Sequence, residues 1–256
     1  FGDWLGLLAT TALAQELSGG NYKKANFAIA GVFIVRLLPA VFLGPIAGVI
    51  ADRFDRRRLM ILCDVLRFGL YLSIPLVGNY LWLYTATVLV ETVTLFWSPA
   101  KEASVPNLVP KNKLESANQV SLLAAYGTAP IAALVFSILA LFSAGFSNII
   151  PSQYASTADL ALYIDALSFL YTAWVVLGLK EIPRGASSQT ASQQNIGRSL
   201  IEGFKFVNSS KVIRGLIFGM LGAFVAAGAV IGLARTFVGD LQAGEAAYGV
   251  LFGSVF

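Results

Sequence analysis

The sequence predicts an all-α, polytopic membrane protein, and three observations support this fold class. First, 57% of the 256 residues are hydrophobic and only 12% are charged, which is about half the charge that soluble domains carry. Second, the apolar stretches are continuous and long, whereas a membrane strand would alternate apolar and polar residues. Third, Lys and Arg concentrate in alternate loops, as they do around membrane-spanning helices.

Eight hydrophobic segments follow one another, and each is interpreted as a transmembrane helix or as part of one. The first reaches only to about Leu17, which is too short to cross a bilayer, since a crossing takes about 20 residues. The last begins near Tyr248 and continues to the final residue, so we expect the chain to be truncated at both ends. The six other spans are predicted at about 27–50, 59–77, 81–97, 120–142, 160–179 and 215–234.

The distribution of Lys and Arg predicts the orientation of these spans. Thirteen of the 18 basic residues lie after spans 2, 4 and 6, and three (Lys23, Lys24 and Arg235) lie in the opposite loops. Short loops rich in Lys and Arg stay in the cytoplasm. We therefore expect a multi-pass membrane protein whose N-terminus and central linker are cytoplasmic. The net charge of +4 then reflects topology, and no nucleic-acid partner is expected.

A polar linker divides the chain into two units. Residues 181–197 are rich in Ser and Gln, which is typical of a linker, and 198–214 contain a short amphipathic helix for the membrane surface. The prediction is a six-helix bundle at 1–180, a linker at 181–214 and the start of a second bundle at 215–256. "LAQELSGG" (13–20) and "LARTFVGD" (233–240) fall at corresponding places in the two units, as in a parallel repeat.

Charged residues inside the spans are candidates for function. A charge at the bilayer centre costs about 2.5–3.5 kcal/mol on insertion scales, so each needs a partner, a cavity or water. Asp64 and Arg67 are three residues apart on one helix and can form a local ion pair. The remaining candidates for proton coupling, substrate contact or a gating pair are Asp3, Arg36, Glu91 and Asp165.

Several kinds of chemistry lack support in the sequence. The chain has no histidine and a single cysteine, and it contains no nucleotide-binding, zinc-protease or paired-cysteine motif. No nucleophile, base and orienting group share a plausible site. We therefore expect no metal, no cofactor and no enzymatic activity.

The charged run between spans 2 and 3 carries a family resemblance. Gly48-Val-Ile-Ala-Asp52-Arg53-Phe-Asp55-Arg56-Arg57 resembles the signature G-x-x-x-D-R/K-x-G-R-R/K of the major facilitator superfamily, with Asp55 at a position where the family usually has Gly. Further segments are similar to the macrolide-efflux branch of that superfamily, and they extend over nearly the whole chain. They are "RLLPAVFLGPIAG", "DVLR", "FWSPAKEASVPNLVP", "LESANQVS", "DALSFL" and "EGFKFV".

The resemblance implies twelve helices in two six-helix halves, of which this chain holds one half and the start of the other. It also implies alternating access and, in most members, export driven by proton exchange. In the family, the acid of the signature contacts the opposite half at the cytoplasmic side. The resemblance therefore assigns this conformational switch to Gly48 and Asp52, with Arg53, Arg56 and Arg57 as its charged network. The alternative is that the arginines only set topology.

A second signature, in the fifth helix of exporters, is only partly present. The family pattern is G-x-x-x-G-P-x-x-G-G, and the matching segment here contains "AYGTAPIAAL". Pro130 is retained, whereas Ala129 replaces a glycine and Leu134 replaces the last one. Alanines still allow helices to approach closely, but the export-specific part of the resemblance is weaker.

These observations favour a secondary transporter, in which protons drive export of a hydrophobic or amphipathic small molecule. The expected partners are that substrate, protons and the bilayer, and a monomer is expected. A lipid or lysophospholipid flippase of the same fold is one alternative. A membrane scaffold or assembly factor that does not transport is another. Buried acids on different helices favour transport, because a scaffold has little reason to keep charge inside the membrane.

Overall fold

The computed structural model describes residues 1–51, 54–146, 156–179 and 209–255, and within these ranges it is helical, without β-strands. A 3₁₀-helix at Lys111–Lys113 precedes α5. The α-helices are α1 (Gly2–Glu16), α2 (Tyr22–Ala51), α3 (Arg56–Val77), α4 (Tyr80–Leu108), α5 (Leu114–Tyr126), α6 (Ala129–Phe146), α7 (Thr157–Gly178), α8 (Lys211–Asp240) and α9 (Gly244–Val255).

Five segments of the described chain are long and apolar enough to cross a membrane. They are Lys23–Gly44, Arg56–Val77, Tyr80–Leu108, Lys111–Ser143 and Thr157–Gly178, and they correspond to predicted spans 2 to 6. The predicted all-α, polytopic fold class is therefore confirmed. The predicted spans at 1–17 and 215–234 coincide with α1 and α8, and the amphipathic helix predicted within 198–214 falls mostly outside the described residues.

Helix α4 is longer than predicted span 4. The span was predicted to end at Trp97, but α4 continues to Leu108 and includes Pro99 and Pro106, so Lys101 lies in a helix and not in a loop. Hydropathy detects the part of a helix that lies in the hydrocarbon core. It does not detect a helix that continues into the polar region beyond the bilayer.

Span 5, predicted as one helix, is broken between α5 and α6. Pro130 lacks the N–H that would donate to the carbonyl of Tyr126, and the residue before a proline disfavours the α conformation. The Gly127 N–H closes α5 by donating to Leu123 O at 2.7 Å. The carbonyl of Ala125 accepts a hydrogen bond from the indole Nε1 of Trp4 at 2.7 Å, so α1 satisfies a carbonyl near the end of α5.

Helix α1 lies at the centre of the helix bundle. It contacts α2, α4, α6 and α7, while α3 packs between α4 and α7. The side chains of Leu5, Leu8 and Ala12 are fully buried. The hydroxyl of Thr10 donates to Gly6 O at 2.6 Å, and that of Thr11 lies 2.9 Å from Leu7 O. These bonds to the preceding turn satisfy polar atoms in an apolar interior.

The helices define two ends of the molecule. At the signature end, the start of α3 contacts the carboxyl ends of α4 and α7 through Arg56 and Arg57. At the distal end, the starts of α2 and α4 meet the end of α1, where the Tyr80 hydroxyl donates to Ala14 O at 3.3 Å. Successive spans therefore run in opposite directions, as a multi-pass membrane protein requires.

Candidate functional site

Asp55 of the signature caps the N-terminus of helix α3. Asp52 and Arg53 lie outside the described residues, and Gly48 belongs to the last part of α2. Asp55 is the N-cap of α3, and its Oδ1 accepts a hydrogen bond from the backbone N–H of Arg58 at 3.0 Å. Its φ of −61° is accessible to any residue. Asp is among the preferred N-cap residues, which gives a local reason for Asp55 at the family's usual glycine position.

Two arginines of the signature bind backbone carbonyls of neighbouring helices in the first bundle. Arg56 Nη1 donates to Ala103 O in α4 at 2.9 Å. Arg57 Nε donates to Val176 O in α7 at 3.2 Å, and its Nη2 donates to Leu177 O. Val176 and Leu177 lie in the last turn of α7, where carbonyls lack i+4 helical partners and carry partial negative charge. The two arginines thus link the start of α3 to α4 and to α7.

The ionic residues of α3 form a buried cluster with aromatic rings from two other helices. Arg67 Nη2 donates to Asp64 Oδ1 at 2.5 Å, with side-chain exposures of 2% and 0%. The indole Nε1 of Trp97 in α4 donates to Asp64 Oδ2 at 3.2 Å. The guanidinium carbon of Arg67 lies 4.7 Å from the ring centre of Trp97 and 4.5 Å from that of Phe169 in α7. We call Asp64, Arg67, Trp97 and Phe169 the arginine cluster.

A second ion pair joins α2 to α4. Arg36 Nη2 lies 2.8 Å from Glu91 Oε1, and the two side chains are 17% and 19% exposed. Both residues lie well inside their helices and not at the ends. The pair crosses between two helices, so a change in their relative position can break it without unfolding either helix.

Among the candidate acids Asp3, Glu91 and Asp165, Asp165 in α7 is the most buried. It is fully buried, and among the described residues neither carboxyl oxygen has a hydrogen-bond partner. A Cβ added to Gly6 would lie 2.7 Å from Asp165 Oδ2 and 2.6 Å from the hydroxyl of Tyr71, and a Cβ on Gly2 would lie 2.8 Å from Oδ1. The two glycines of α1 therefore make room for the carboxyl group.

The four candidate charges lie on four helices, and α1 contacts the other three of these helices. Asp3 in α1, Arg36 in α2, Glu91 in α4 and Asp165 in α7 form what we call the charged core. Of the three carboxyl groups, that of Glu91 contacts the guanidinium of Arg36 directly. Asp3 is exposed and Asp165 is buried, which places one acid at the surface of the site and one inside it.

Aromatic residues that sequence reasoning missed connect the charged core to the arginine cluster. The ring of Tyr71 stacks on that of Phe169 with centroids 5.4 Å apart, and Phe169 lies under the guanidinium of Arg67. Tyr71 also reaches the side of α1 that contacts Asp165. Aromatic residues are common in membrane helices, so no pattern in the sequence distinguished these from others.

The incomplete fifth-helix signature lies at the contact between the two predicted units. Ala129, Ala133 and Ser137 are buried residues of α6. A Cβ added to Gly249 of α9 would lie 2.8 Å from Ala133 O, and one added to Gly253 would lie 3.8 Å from the Cα of Pro130. Ser137 Oγ lies 3.0 Å from Ala246 O. Small residues on both helices thus permit this close approach, including at positions where alanine replaces the family's glycine.

Comparison with known proteins identifies similar sequences over the whole chain. A family model described as transmembrane secretion effector matches residues 2–256. The MFS-type transporter YkuC of Bacillus subtilis (strain 168) is 27% identical over 192 residues, which cover 71% of this chain and 41% of YkuC. The MFS-type transporter YfiS of the same strain is 27% identical over 228 residues, which cover 88% of this chain and 49% of YfiS.

A relative named for drug efflux is also similar. Macrolide efflux protein A of Enterococcus faecalis is 26% identical over 148 residues, which cover 54% of this chain and 46% of that protein. The chain thus spans about half the length of the curated relatives it matches. No solved structure matches it.

Proposed function

The chain belongs to the major facilitator superfamily, in its family of transmembrane secretion effectors, and on this premise we propose that the protein exports hydrophobic or amphipathic small molecules in exchange for protons. The resemblance found in the signature is confirmed at the level of the superfamily. The chain is a multi-pass membrane protein of a family with bacterial members. Export is supported by the relative named for macrolide efflux, and no enzymatic step is proposed.

The observation that carries the proposal is the fully buried carboxyl group of Asp165. Burying an ionised carboxylate costs far more free energy than burying the neutral acid, and Asp165 has no hydrogen-bond partner among the described residues. Separation of α1 from α7 would admit water to Asp165 and would thus be coupled to release of its proton. Acids inside membrane helices commonly serve such proton pathways.

The Arg36–Glu91 pair provides a second element that can change with the transport cycle. Separating a partly buried ion pair leaves an uncompensated charge on each residue. The two residues are therefore expected to separate only when another group replaces the lost contact. Asp3 is the exposed carboxyl group of the charged core. In the proposed cycle, Arg36 exchanges Glu91 for another acid of the charged core as a proton or a substrate enters.

The proposed arrangement in the membrane follows the distribution of basic residues. The signature end faces the cytoplasm, together with the N-terminus and the linker at 181–214, and the membrane is the bacterial inner membrane. Residues 1–180 are proposed to form one six-helix half, and 215–256 to begin the other. A single polypeptide with both halves would contain the whole transport path, so a monomer is proposed.

Transport in liposomes tests the proposal. Full-length protein is reconstituted, a proton gradient of either sign is imposed, and the movement of amphipathic fluorescent compounds and lysolipids is followed. We expect gradient-dependent movement by the wild type. Glu91→Gln is expected to reduce it to the rate of protein-free liposomes, because Arg36 loses its charged partner.

Other outcomes of this experiment separate the alternatives. Movement of the compounds at a rate independent of the proton gradient would contradict proton exchange and would favour a flippase or facilitator. No movement of any compound would favour a scaffold. Equal gradient-dependent transport by Glu91→Gln would exclude Glu91 from coupling.

The switch role of Asp52 is a separate part of the proposal and has its own test. Asp52→Asn removes the charge that would contact the opposite half but leaves the number of basic residues in the loop unchanged. We therefore expect normal membrane insertion, measured by expression and protease accessibility, and impaired transport in liposomes. Normal transport at normal expression would leave the signature with two roles, setting topology and forming the backbone contacts of Arg56 and Arg57.

A further inference from the structure

A groove at the distal end lies between the first turns of α2 and α4. It has a volume of about 340 Å³ and is lined by Lys23, Lys24, Phe27, Ala28, Tyr80 and Tyr84. We call it the lysine–tyrosine groove. None of its residues belongs to the charged core, the arginine cluster or the signature.

The tyrosine wall of the groove is held by hydrogen bonds to neighbouring helices. The hydroxyl of Tyr80 donates to Ala14 O at 3.3 Å, and that of Tyr84 donates to Ala28 O at 3.2 Å. The two rings stack with centroids 6.2 Å apart. A Cβ on Gly31 would lie 2.8 Å from the Tyr84 hydroxyl, so the absence of a side chain there allows this placement. The wall is therefore fixed before any ligand binds.

The two lysines bring positive charge that the protein does not neutralise. Both are exposed, and neither ammonium group forms an ion pair with an acid in the part of the chain that the structure describes. In the proposed orientation the distal end faces away from the cytoplasm, where Lys and Arg are disfavoured. Two of the three basic residues on that side nevertheless stand next to each other at this groove. An anion would supply the missing charge.

The borders of the groove are strongly apolar. Phe27 is 80% exposed, and Leu81, the residue after Tyr80, is 79% exposed. Tyrosine and lysine are typical of the level at which lipid headgroups meet the hydrocarbon core. The ligand therefore needs an anionic group beside a hydrophobic body, which describes a lipid better than a free ion.

We propose that the lysine–tyrosine groove binds the phosphate headgroup of an anionic glycerophospholipid from the leaflet at the distal end. The ammonium groups of Lys23 and Lys24 contact the phosphate, and an acyl chain lies against Phe27 and Leu81. The lipid would thereby hold the starts of α2 and α4 together, and these two helices also carry Arg36 and Glu91. Binding itself does not depend on what the protein transports.

Native mass spectrometry of the delipidated full-length protein tests this site, with phosphatidylglycerol, phosphatidylcholine and inorganic phosphate as separate probes. Two lysines near an anionic surface correspond to roughly a thirtyfold preference. We therefore expect that Lys23→Gln/Lys24→Gln retains one phosphatidylglycerol fewer and binds the tightest one about thirtyfold more weakly. The matched control is Lys111→Gln/Lys113→Gln, an exposed pair outside the groove, which should leave this tightest site unchanged.

Each other outcome would overturn the proposal. If phosphatidylcholine is retained as well as phosphatidylglycerol, the negative charge of the headgroup does not determine binding. Displacement of phosphatidylglycerol by millimolar inorganic phosphate would identify a free-anion site instead of a lipid site. Unchanged binding in Lys23→Gln/Lys24→Gln, or an equal loss in the control pair, would place the lipid elsewhere on the protein.

Discussion

Arg67→Ala is expected to lower the free energy of unfolding by about 3–5 kcal/mol, the usual cost of removing one partner of a buried ion pair. Asp64 would keep the hydrogen bond from Trp97 but would lose the only positive group of the arginine cluster. The truncation also leaves a gap between the rings of Trp97 and Phe169, which lie 4.7 and 4.5 Å from the guanidinium carbon. The measurement is the unfolding midpoint of the full-length protein in detergent.

Two further variants separate the ion pair from general effects of mutation. Asp64→Leu combined with Arg67→Met replaces the pair by apolar groups, and we expect it to recover most of the lost stability. Arg58→Ala removes an exposed arginine of the same helix, and we expect a change within about 0.5 kcal/mol. Wild-type stability in Arg67→Ala would show that the arginine cluster does not support the fold.

The spans could be predicted from the sequence, because a continuous apolar run of bilayer length has few alternatives to a membrane helix. Their bounds were less predictable. Helix α4 continues to Leu108 because backbone hydrogen bonding does not stop where the hydrocarbon core ends. The break between α5 and α6 follows from Gly127 and Pro130, whose local effect on the backbone does not alter hydropathy.

The charged residues of the site could also be predicted, because charge in an apolar segment is costly and therefore conspicuous. Which of these charged residues contact one another could not be predicted from the sequence. Arg36 and Glu91 lie on different helices, and only the packing of α2 against α4 brings them to 2.8 Å. The space for the Asp165 carboxyl group depends on Gly2 and Gly6 in α1. The sequence indicates this space only by the absence of side chains at the two glycines. These contacts form between helices, and the periodicity of the sequence within one helix does not predict them.

Asp165→Asn is expected to abolish proton-driven transport while the protein still folds. Asn has nearly the shape of Asp and fits the space beside Gly2 and Gly6, but it cannot bind or release a proton. Movement of substrate against its gradient should therefore fall to the rate of protein-free liposomes. Exchange of labelled for unlabelled substrate without a proton gradient should persist, because exchange requires no net proton movement.

Asp159→Asn is the matched control, since Asp159 is also a buried acid of α7, with 6% exposure. It lies in the first turn, where an acidic side chain interacts favourably with the helix dipole, and it does not belong to the charged core. We expect it to retain gradient-driven transport. If both variants lose transport equally, the effect is on the packing of α7. If Asp165→Asn retains transport, proton binding belongs to Glu91 or Asp3, and the unpaired carboxyl of Asp165 serves the fold alone.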